Sequence, residues 1–211
     1  MKIASTDGRS LRAEQKRSER REAIVRAAES VFASRGFHDA SISDVIDAAD
    51  ISRGTFYLYF ESKEALFVHL IERFVGLITS AVRVVDPNEP EPERRILENV
   101  ARVVDIAFDH PELTMVVLRE TRGRSPGIDE PLDRLYEFLS SMVEGALTNG
   151  AKAGIIRAVN ERVVATAMIG AFKEVFLSDL ALMSRAEARP NRDALASSLF
   201  ELSVRGLFLR G

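Results

Sequence analysis

The chain of 211 residues contains no cysteine and no tryptophan. Without cysteine there can be no disulfide, thiolate zinc site, iron–sulfur cluster or cysteine nucleophile. Glycine and proline are scarce, with 12 and 7 residues, and most of them fall in short clusters. Long hydrophobic runs are also absent: the longest stretch without a charge, 163–172, is ten residues long, about half of the ~20 that a membrane span needs. The sequence therefore predicts a folded, soluble protein with no transmembrane helix.

Charge of one sign is not in excess either, because 29 Lys and Arg face 32 Asp and Glu, a net charge of −3. Bulk composition thus does not indicate nucleic-acid binding, and such a function has to rest on local charge and motifs. The first 26 residues carry charges throughout and lack the apolar core of a secretory signal. We therefore expect a cytoplasmic protein.

Apolar residues recur at intervals of three and four along most of the chain, a periodicity typical of amphipathic helices. Ser41 with Asp44 predicts a capping box, Ser52 and Ser62 are further N-cap candidates, and Gly36 suits the end of a first helix. The fold predicted is all-α with about nine helices. They are expected at residues 19–35, 42–50, 53–60, 63–85, 93–109, 111–121, 128–149, 160–184 and 192–209.

The two short helices on either side of residues 49–52 form a helix-turn-helix unit. Such a unit places its second helix in the major groove of DNA. At 100° per residue, Phe56 and Phe60 share one face of that helix as anchors. Hydroxyl and guanidinium groups that can bind phosphates or base edges, and apolar groups that can meet thymine methyls, lie opposite or on the flanks. These outward positions are Arg53, Gly54, Thr55, Tyr57, Leu58 and Tyr59.

A basic edge flanks this unit, since residues 16–26 hold five basic and two acidic groups. Lys63 adds a cation at the start of the fourth helix, where a helix N-terminus attracts anions. Residues 1–64 as a whole, however, hold eleven basic and eleven acidic groups. Helix-turn-helix pairs also occur in helical bundles that never touch nucleic acid. The alternative is a helical protein whose head binds a protein partner, with no DNA or ligand role.

Residues 36–67 read GFHDASISDVIDAADISRGTFYLYFESKEALF. This run resembles the N-terminal domain of the TetR family of transcriptional regulators: Gly-Phe, a Ser or Thr cap, an Ile-Ala-rich helix, a Gly-Thr-aromatic-Tyr-x-Phe recognition helix and Ser-Lys-Glu-x-Leu. The resemblance covers about the first third of the chain. It implies DNA contacts at Ser41, Ser43, Arg53, Gly54, Thr55, Tyr57, Tyr59 and Lys63.

Two positions depart from the family pattern. Asp50 stands where the family usually has Gly, and Ile46 stands where it usually has Ala. Aspartate tolerates a left-handed turn, so we expect the fold to survive. Its negative charge near the DNA side is expected to weaken affinity.

The resemblance also implies a second, larger domain that binds an effector and dimerises. We expect a DNA-binding domain over residues 1–64, with a disordered polar tail over about 1–15, and an effector-binding and dimerisation domain over 65–211. The implied partners are a double-stranded DNA operator and a small apolar or amphipathic effector, with repression as the commoner mode. The long fourth helix is the candidate element through which the effector changes the distance between the two DNA-binding domains of the dimer.

The last two helices support a homodimer independently of the resemblance. Residues 163–183 are apolar on most sides of a helix, so that helix needs cover on most sides. Pairing both helices with their copies as a four-helix bundle would supply the cover, and two recognition helices would then read a palindromic operator. Burial within one chain is the alternative. The small residues that would let the backbones approach closely are Ala165, Ala167, Gly170 and Ala171.

Helices between 96 and 149 carry many large apolar residues, with a few polar groups among them that could orient a ligand in an apolar cleft. The alternatives are ordinary core packing for the apolar residues and a solvated face for the charged ones. The candidate ligand-binding residues, which include two from the next helix, are Phe108, Met115, Leu118, Arg119, Arg122, Tyr136, Leu139, Met142, Phe172 and Phe176.

An enzyme is a rival interpretation, because Gly123–Gly127 matches the G-x-S-x-G string of serine hydrolases. That motif works only on a strand-to-helix elbow. Here a helix precedes it, and Pro126 has no N–H for an oxyanion hole. The histidines, at 38, 69 and 110, are far apart and lack metal-binding spacing. The sequence therefore predicts no enzyme, metal or cofactor.

Overall fold

The computed structural model describes residues 4–86, 90–120, 126–184 and 191–208. Within these ranges the chain forms nine α-helices, one short 3-10 helix and an isolated bridge between Ile156 and Phe208. The all-α prediction is therefore confirmed. The helices are α1 (Ala4–Arg35), α2 (Ile42–Ala48), α3 (Arg53–Tyr57), α4 (Lys63–Ala81), α5 (Pro92–Asp109), α6 (Pro111–Arg119), α7 (Pro126–Lys152), α8 (Glu161–Ser184) and α9 (Arg192–Ser203), with the 3-10 turn at Arg205–Leu207.

The first helix is longer than predicted. It begins at Ala4, so the expectation of a disordered tail is wrong for residues 4–15. The end of this segment, residues 11–15, consists of Leu, Arg, Ala, Glu and Gln, which are good helix formers, and the segment has no proline. The Gln15 amide also donates to the Glu19 carboxylate one turn later, at 3.1 Å.

The fourth helix ends at Ala81, earlier than the predicted end near Val85. The segment that follows is rich in β-branched valine, which has a lower helix propensity. The Asn99 side chain binds the backbone of Arg83 at both its N–H (3.0 Å) and its C=O (2.8 Å). Asn99 thus replaces helical hydrogen bonds with a contact from α5.

By internal packing the chain divides into two units, Met1–Leu70 and Ile71–Gly211. We call these the head unit and the body unit. The packing boundary lies inside α4, after Leu70. The sequence predicted a division earlier in the same helix, after residue 64. The core of the head unit includes a cluster of aromatic rings, in which the ring of Phe37 lies 5.5 Å from that of Phe32 and 4.8 Å from that of Phe67.

In the body unit, α5 packs against α9 and α7 packs against α8. The Arg192 guanidinium on α9 holds two carboxylates of α5, Asp109 at 2.7 Å and Asp105 at 3.3 Å. The hydrogen bond to Asp109 is the main cause that raises the pKa of Arg192. No helix within the described ranges is both long and apolar enough to cross a bilayer. The fully buried core side chains of this unit include Leu113, Ile128, Leu132 and Leu135.

Candidate nucleic-acid interface

The start of α2 is fixed by the predicted capping box, which the structure confirms. Ser41 Oγ accepts a hydrogen bond from the Asp44 N–H at 3.2 Å, and the Asp44 carboxylate accepts one from the Ser41 N–H at 2.8 Å. Arg35 donates to the same carboxylate at 2.6 Å. The hydrogen bond from the Ser41 backbone is the main cause that lowers the pKa of Asp44. The exposed Ser41 and Ser43 therefore stand on a helix end with a defined position.

The turn between α2 and α3 contains a left-handed residue that is not glycine. Asp50 has φ of 50°, as expected for the residue that stands where the family pattern has glycine. Ser52 then caps α3, since its Oγ accepts from the Thr55 N–H at 3.1 Å and also bonds the Thr55 hydroxyl at 2.8 Å. The Thr55 hydroxyl is thus engaged within the cap, whereas the sequence placed it on the outward face.

Helix α3 has one buried and one exposed face. The Phe56 and Phe60 side chains have relative exposures of 0% and 5%, whereas those of Tyr57 and Leu58 are 48% and 75%. The predicted anchors are therefore buried. The helix ends at Tyr57 and is shorter than the predicted 53–60. Of the other predicted contact residues, Arg53 and Gly54 are exposed and Tyr59 is half-buried.

Lys63 makes contacts that the sequence did not predict. Its ammonium group donates to the carbonyl oxygens of Phe37 (2.7 Å), Ala40 (2.9 Å) and His38 (3.4 Å). It also lies 4.4 Å from the centroid of the Phe37 ring. An ammonium has three donors, and these three carbonyls can occupy all of them. Lys63 therefore joins the start of α4 to the loop before α2, and its contact with a phosphate stays a prediction.

The basic edge lies on α1. Arg12, Lys16 and Arg20 are exposed and follow one another at intervals of one turn, so they share one face of the helix. Arg21 is also exposed, but its guanidinium contacts other residues of the head unit: it lies 5.3 Å from the centroid of the Phe60 ring and donates to the His69 ring at 3.2 Å. The structure thus offers a line of solvent-facing cations in the unit that carries α3.

In the body unit, three of the predicted ligand-binding residues form a chain of rings. The Phe176 ring lies 6.1 Å from that of Phe108 and 5.8 Å from that of Phe172. The side chains of Phe108, Leu118 and Phe176 are each buried, whereas that of Arg119 is exposed. Arg122 and residues 123–125 of the G-x-S-x-G string lie outside the described residues. The remaining candidates are half-buried: Met115, Tyr136, Leu139, Met142 and Phe172.

Two shallow cavities of the described chain lie near the junction of α4 and α5. One of about 120 Å³ is lined by charged and valine side chains between Arg83 and Arg102, and one of about 220 Å³ is lined by residues between Pro90 and Arg95. Neither includes a predicted ligand-binding residue. The structure therefore brings the aromatic candidates together without placing them around these cavities.

Comparison with known proteins agrees with the geometry of the head unit. Residues 24–70 match the family model described as bacterial regulatory proteins, tetR family. The head unit is a TetR-family domain. This TetR-family chain is 34% identical over 102 residues to the uncharacterized HTH-type transcriptional regulator YdgC of Bacillus subtilis, a match covering 46% of this chain and 52% of YdgC.

Two further comparisons span most of this TetR-family chain. It is 24% identical over 190 residues to the fatty acid metabolism regulator protein of Bacillus subtilis, covering 87% of this chain and 93% of that protein. The crystal structure of the regulator FadR from Bacillus subtilis in complex with stearoyl-CoA superposes with a TM-score of 0.72, at 21% identity, over 88% of this chain and 98% of that one. The protein is therefore a helix-turn-helix transcriptional regulator with the TetR fold, and its relatives are regulators.

On α8 of this TetR-family regulator, a line of exposed residues runs along one face. Val163 is 62% exposed and Leu182 is 38% exposed, and small residues lie between them. On α9, Leu202 is 74% exposed. These three exposed apolar side chains are candidates for a contact with a second copy of the chain. The exposed α8 residues between the two ends are Thr166, Ala167, Gly170, Glu174 and Ser178.

One polar residue of the body unit was missed from the sequence. Lys173, on α8, donates to the Tyr136 hydroxyl on α7 at 3.1 Å. The signal that could have found it is its position, since Lys173 lies between Phe172 and Phe176 on α8, next to Glu174.

Proposed function

We propose that this TetR-family regulator is a ligand-responsive repressor that binds a palindromic operator as a homodimer and is released by an amphipathic effector. The observation that carries the DNA-binding part is the exposed face of α3, held outward by the buried Phe56 and Phe60. Helix α3 is short, and it packs against the head unit through its buried face. The opposite face is left exposed to solvent and carries Arg53, Tyr57 and Leu58.

The chemistry of this face suits a major groove. The Arg53 guanidinium can donate two hydrogen bonds to a guanine edge, and Leu58 can contact a thymine methyl group. The Ser43 hydroxyl, near the start of α2, suits the phosphate backbone on one side, whereas the Ser41 hydroxyl already donates to the Asp44 carboxylate at 2.7 Å. Arg12, Lys16 and Arg20 add positive charge to the same unit and would strengthen binding to any duplex.

The homodimer is proposed from the exposed line on α8 and from Leu202 on α9. Pairing of these helices with their copies would bury apolar surface that the single chain leaves in water. A two-fold dimer presents its recognition helices to half-sites about 34–36 Å apart, or a multiple of that spacing. This geometry is the reason for expecting a palindromic operator.

The effector is proposed to be a molecule with a long acyl chain. The aromatic and aliphatic candidates of the body unit suit an alkyl chain, and two comparisons point to the same chemistry: a relative named for fatty acid metabolism and a structure that holds stearoyl-CoA. Helix α4 contributes residues to both units. We take it as the lever through which an effector that favours one arrangement of the heads lowers DNA affinity.

The DNA-binding part is tested with duplexes that the wild-type protein selects from a genomic fragment pool. Arg53→Gln combined with Tyr57→Ala should weaken binding at least about tenfold, a loss expected when a guanine contact and a phosphate contact disappear. Arg134→Gln in the body unit removes the same charge and should leave affinity unchanged. Wild-type affinity should fall steeply with salt. If duplex affinity changes neither with salt nor with the double substitution, the protein-partner alternative is favoured.

The effector part is tested on the same duplexes. Dodecanoate, added below its micelle concentration, should lower operator affinity, and operator should lower dodecanoate affinity by the same factor. If dodecanoate saturates the protein and operator affinity stays the same, the proposed release mechanism is wrong.

A further inference from the structure

Leu58 lies at the outermost point of the exposed face of α3. Its N–H donates to the Gly54 carbonyl at 3.3 Å, and the Phe60 N–H donates to the Phe56 carbonyl at 3.0 Å, so the helical turn continues through these residues. At 100° per residue, Leu58 is about 160° away from both phenylalanines around the helix axis. The phenylalanines are buried and Leu58 is 75% exposed. The leucine side chain is therefore directed away from the core of the head unit.

The space beside Leu58 is open to a partner. Gly54 lies one turn earlier on the same side of the helix. Among the described residues, a Cβ built at Gly54 would have the Ser52 Oγ as its neighbour at 3.9 Å, which is an ordinary van der Waals distance. Packing within the chain therefore does not require glycine here. The missing side chain lets another molecule approach the backbone of α3 next to Leu58.

The major groove of DNA offers one apolar group to such a side chain. On the base edges, guanine presents two acceptors, adenine an acceptor and a donor, and cytosine a donor, whereas thymine presents an acceptor and its C5-methyl group. A leucine placed against one of the first three bases would cover polar atoms and return no hydrogen bond, which is unfavourable. Against thymine, it removes two apolar groups from water together. A leucine at this position thus favours one base and disfavours the other three.

We infer that Leu58 is a specificity-determining residue, which selects a thymine at one position of each operator half-site by contact with the C5-methyl group. This inference rests on the proposed function and specifies its operator. At that position, affinity depends on the methyl group and not on the hydrogen-bonding edge of the base. An otherwise identical duplex that lacks this methyl group must bind more weakly.

The experiment replaces thymine with deoxyuridine in a duplex that the wild-type protein selects from a genomic fragment pool. The replacement removes the methyl group and keeps the O4 acceptor and the pairing with adenine. Each thymine of a half-site is exchanged in turn, together with its symmetry mate, and affinity is measured by fluorescence anisotropy. At one such pair, wild-type affinity should fall about tenfold, because burial of one methyl group is worth roughly fourfold and two are lost.

Three variants show whether Leu58 is the residue that detects the methyl group. Leu58→Ala should bind the thymine duplex more weakly than the wild type does, and should bind the thymine and deoxyuridine duplexes within about twofold of each other. Leu58→Met keeps a long apolar side chain and should keep the preference for thymine. Val84→Ala shortens an exposed apolar residue of the body unit and should change neither affinity nor preference. Because Leu58 is exposed, Leu58→Ala should melt within about 2 °C of the wild type.

The outcomes separate this inference from the proposed function. If the selected half-sites share no thymine, if no deoxyuridine pair weakens wild-type binding, or if Leu58→Ala keeps the preference for thymine, Leu58 does not read a methyl group. The protein still binds duplexes in each of these cases, so the proposed DNA-binding function stands. If the wild-type protein selects no duplex from the pool, the DNA-binding part of the proposed function is wrong and the inference fails with it.

Discussion

The ammonium of Lys63 donates to backbone carbonyls within the head unit, at a position where the family resemblance implies a phosphate contact. Its three acceptors are backbone carbonyls of the loop between α1 and α2. Carbonyls at a helix end or in a loop need donors when water cannot reach them. The side chain therefore positions the α2 N-terminus, and an effect of its loss on DNA binding would pass through that loop.

Lys63→Met is accordingly expected to destabilise the protein by about 1.5–3 kcal/mol, the usual contribution of hydrogen bonds to a charged group. Urea unfolding measures this loss. Lys16→Met, an exposed lysine on α1, should change the free energy of unfolding by less than about 0.5 kcal/mol. A Lys63→Met protein as stable as the wild type but weaker on DNA would show that the phosphate contact matters and the carbonyl contacts do not.

Asp44 gives the capping box a dependence on pH. Because hydrogen bonds lower its pKa in the folded protein, Asp44 stabilises the fold above its unfolded pKa of about 3.9, and this stabilisation is lost as the pH falls through the lower folded value. Asp44→Ala should therefore lower the melting temperature at neutral pH and lower it less as the solution is acidified. Asp47→Ala, an exposed acid on the same helix, is the control. A gap between wild type and Asp44→Ala that is constant with pH would contradict this reading.

For the helices, a feature could be predicted when the residues that determine it are close together in the sequence. Ser41 caps a residue three positions later, and the buried spacing of Phe56 and Phe60 is also local, so both were predictable. The carbonyls that Lys63 contacts lie 23 to 26 residues earlier in the sequence, and Lys173 is 37 residues away from its partner Tyr136. No local pattern encodes such pairs, because tertiary packing decides which side chain meets which carbonyl or hydroxyl.

The same reasoning explains the two helix ends that were misplaced. α4 stops where Asn99, sixteen residues away, takes over the backbone hydrogen bonds of Arg83. α1 starts early because a polar sequence without core residues can still be helical when it continues a packed helix, since the costly nucleation step has already occurred. Hydrophobic periodicity detects only the packed part, which begins near Ile24.

The early start of α1 has a consequence for DNA binding. Arg12, Lys16 and Arg20 form an exposed line on one face, and each one that meets a phosphate adds about 0.9 to the slope of log affinity against log salt. Replacing all three with Gln should weaken binding to every duplex and reduce that slope. Fluorescence anisotropy on a labelled duplex at several salt concentrations measures both quantities.

The control for this triple variant removes equal charge from the body unit. Arg94, Arg134 and Arg162 are exposed, and their replacement with Gln should leave the slope nearly unchanged. If both triple variants reduce the slope equally, general charge and not the α1 line is responsible.

For the whole molecule, the proposed dimer depends on how closely two copies of α8 approach. Gly170 is exposed on this helix, and a Cβ built at this position meets no atom of its own chain within 4 Å. A larger side chain is therefore free of intrachain clashes, and it would raise helix propensity by up to about 1 kcal/mol. Any disruption by such a side chain must come from a second copy.

Gly170→Arg is thus expected to stay helical but to become monomeric in light scattering, because a long charged side chain cannot fit a close helix–helix contact. Its affinity for the palindromic operator should fall sharply while affinity for a single half-site stays the same, since each head is intact and only the link between them is lost. Gly145→Arg on α7, also exposed with open space around its Cβ, should remain dimeric. A dimeric Gly170→Arg protein with wild-type operator affinity would place the dimer interface elsewhere than this face of α8.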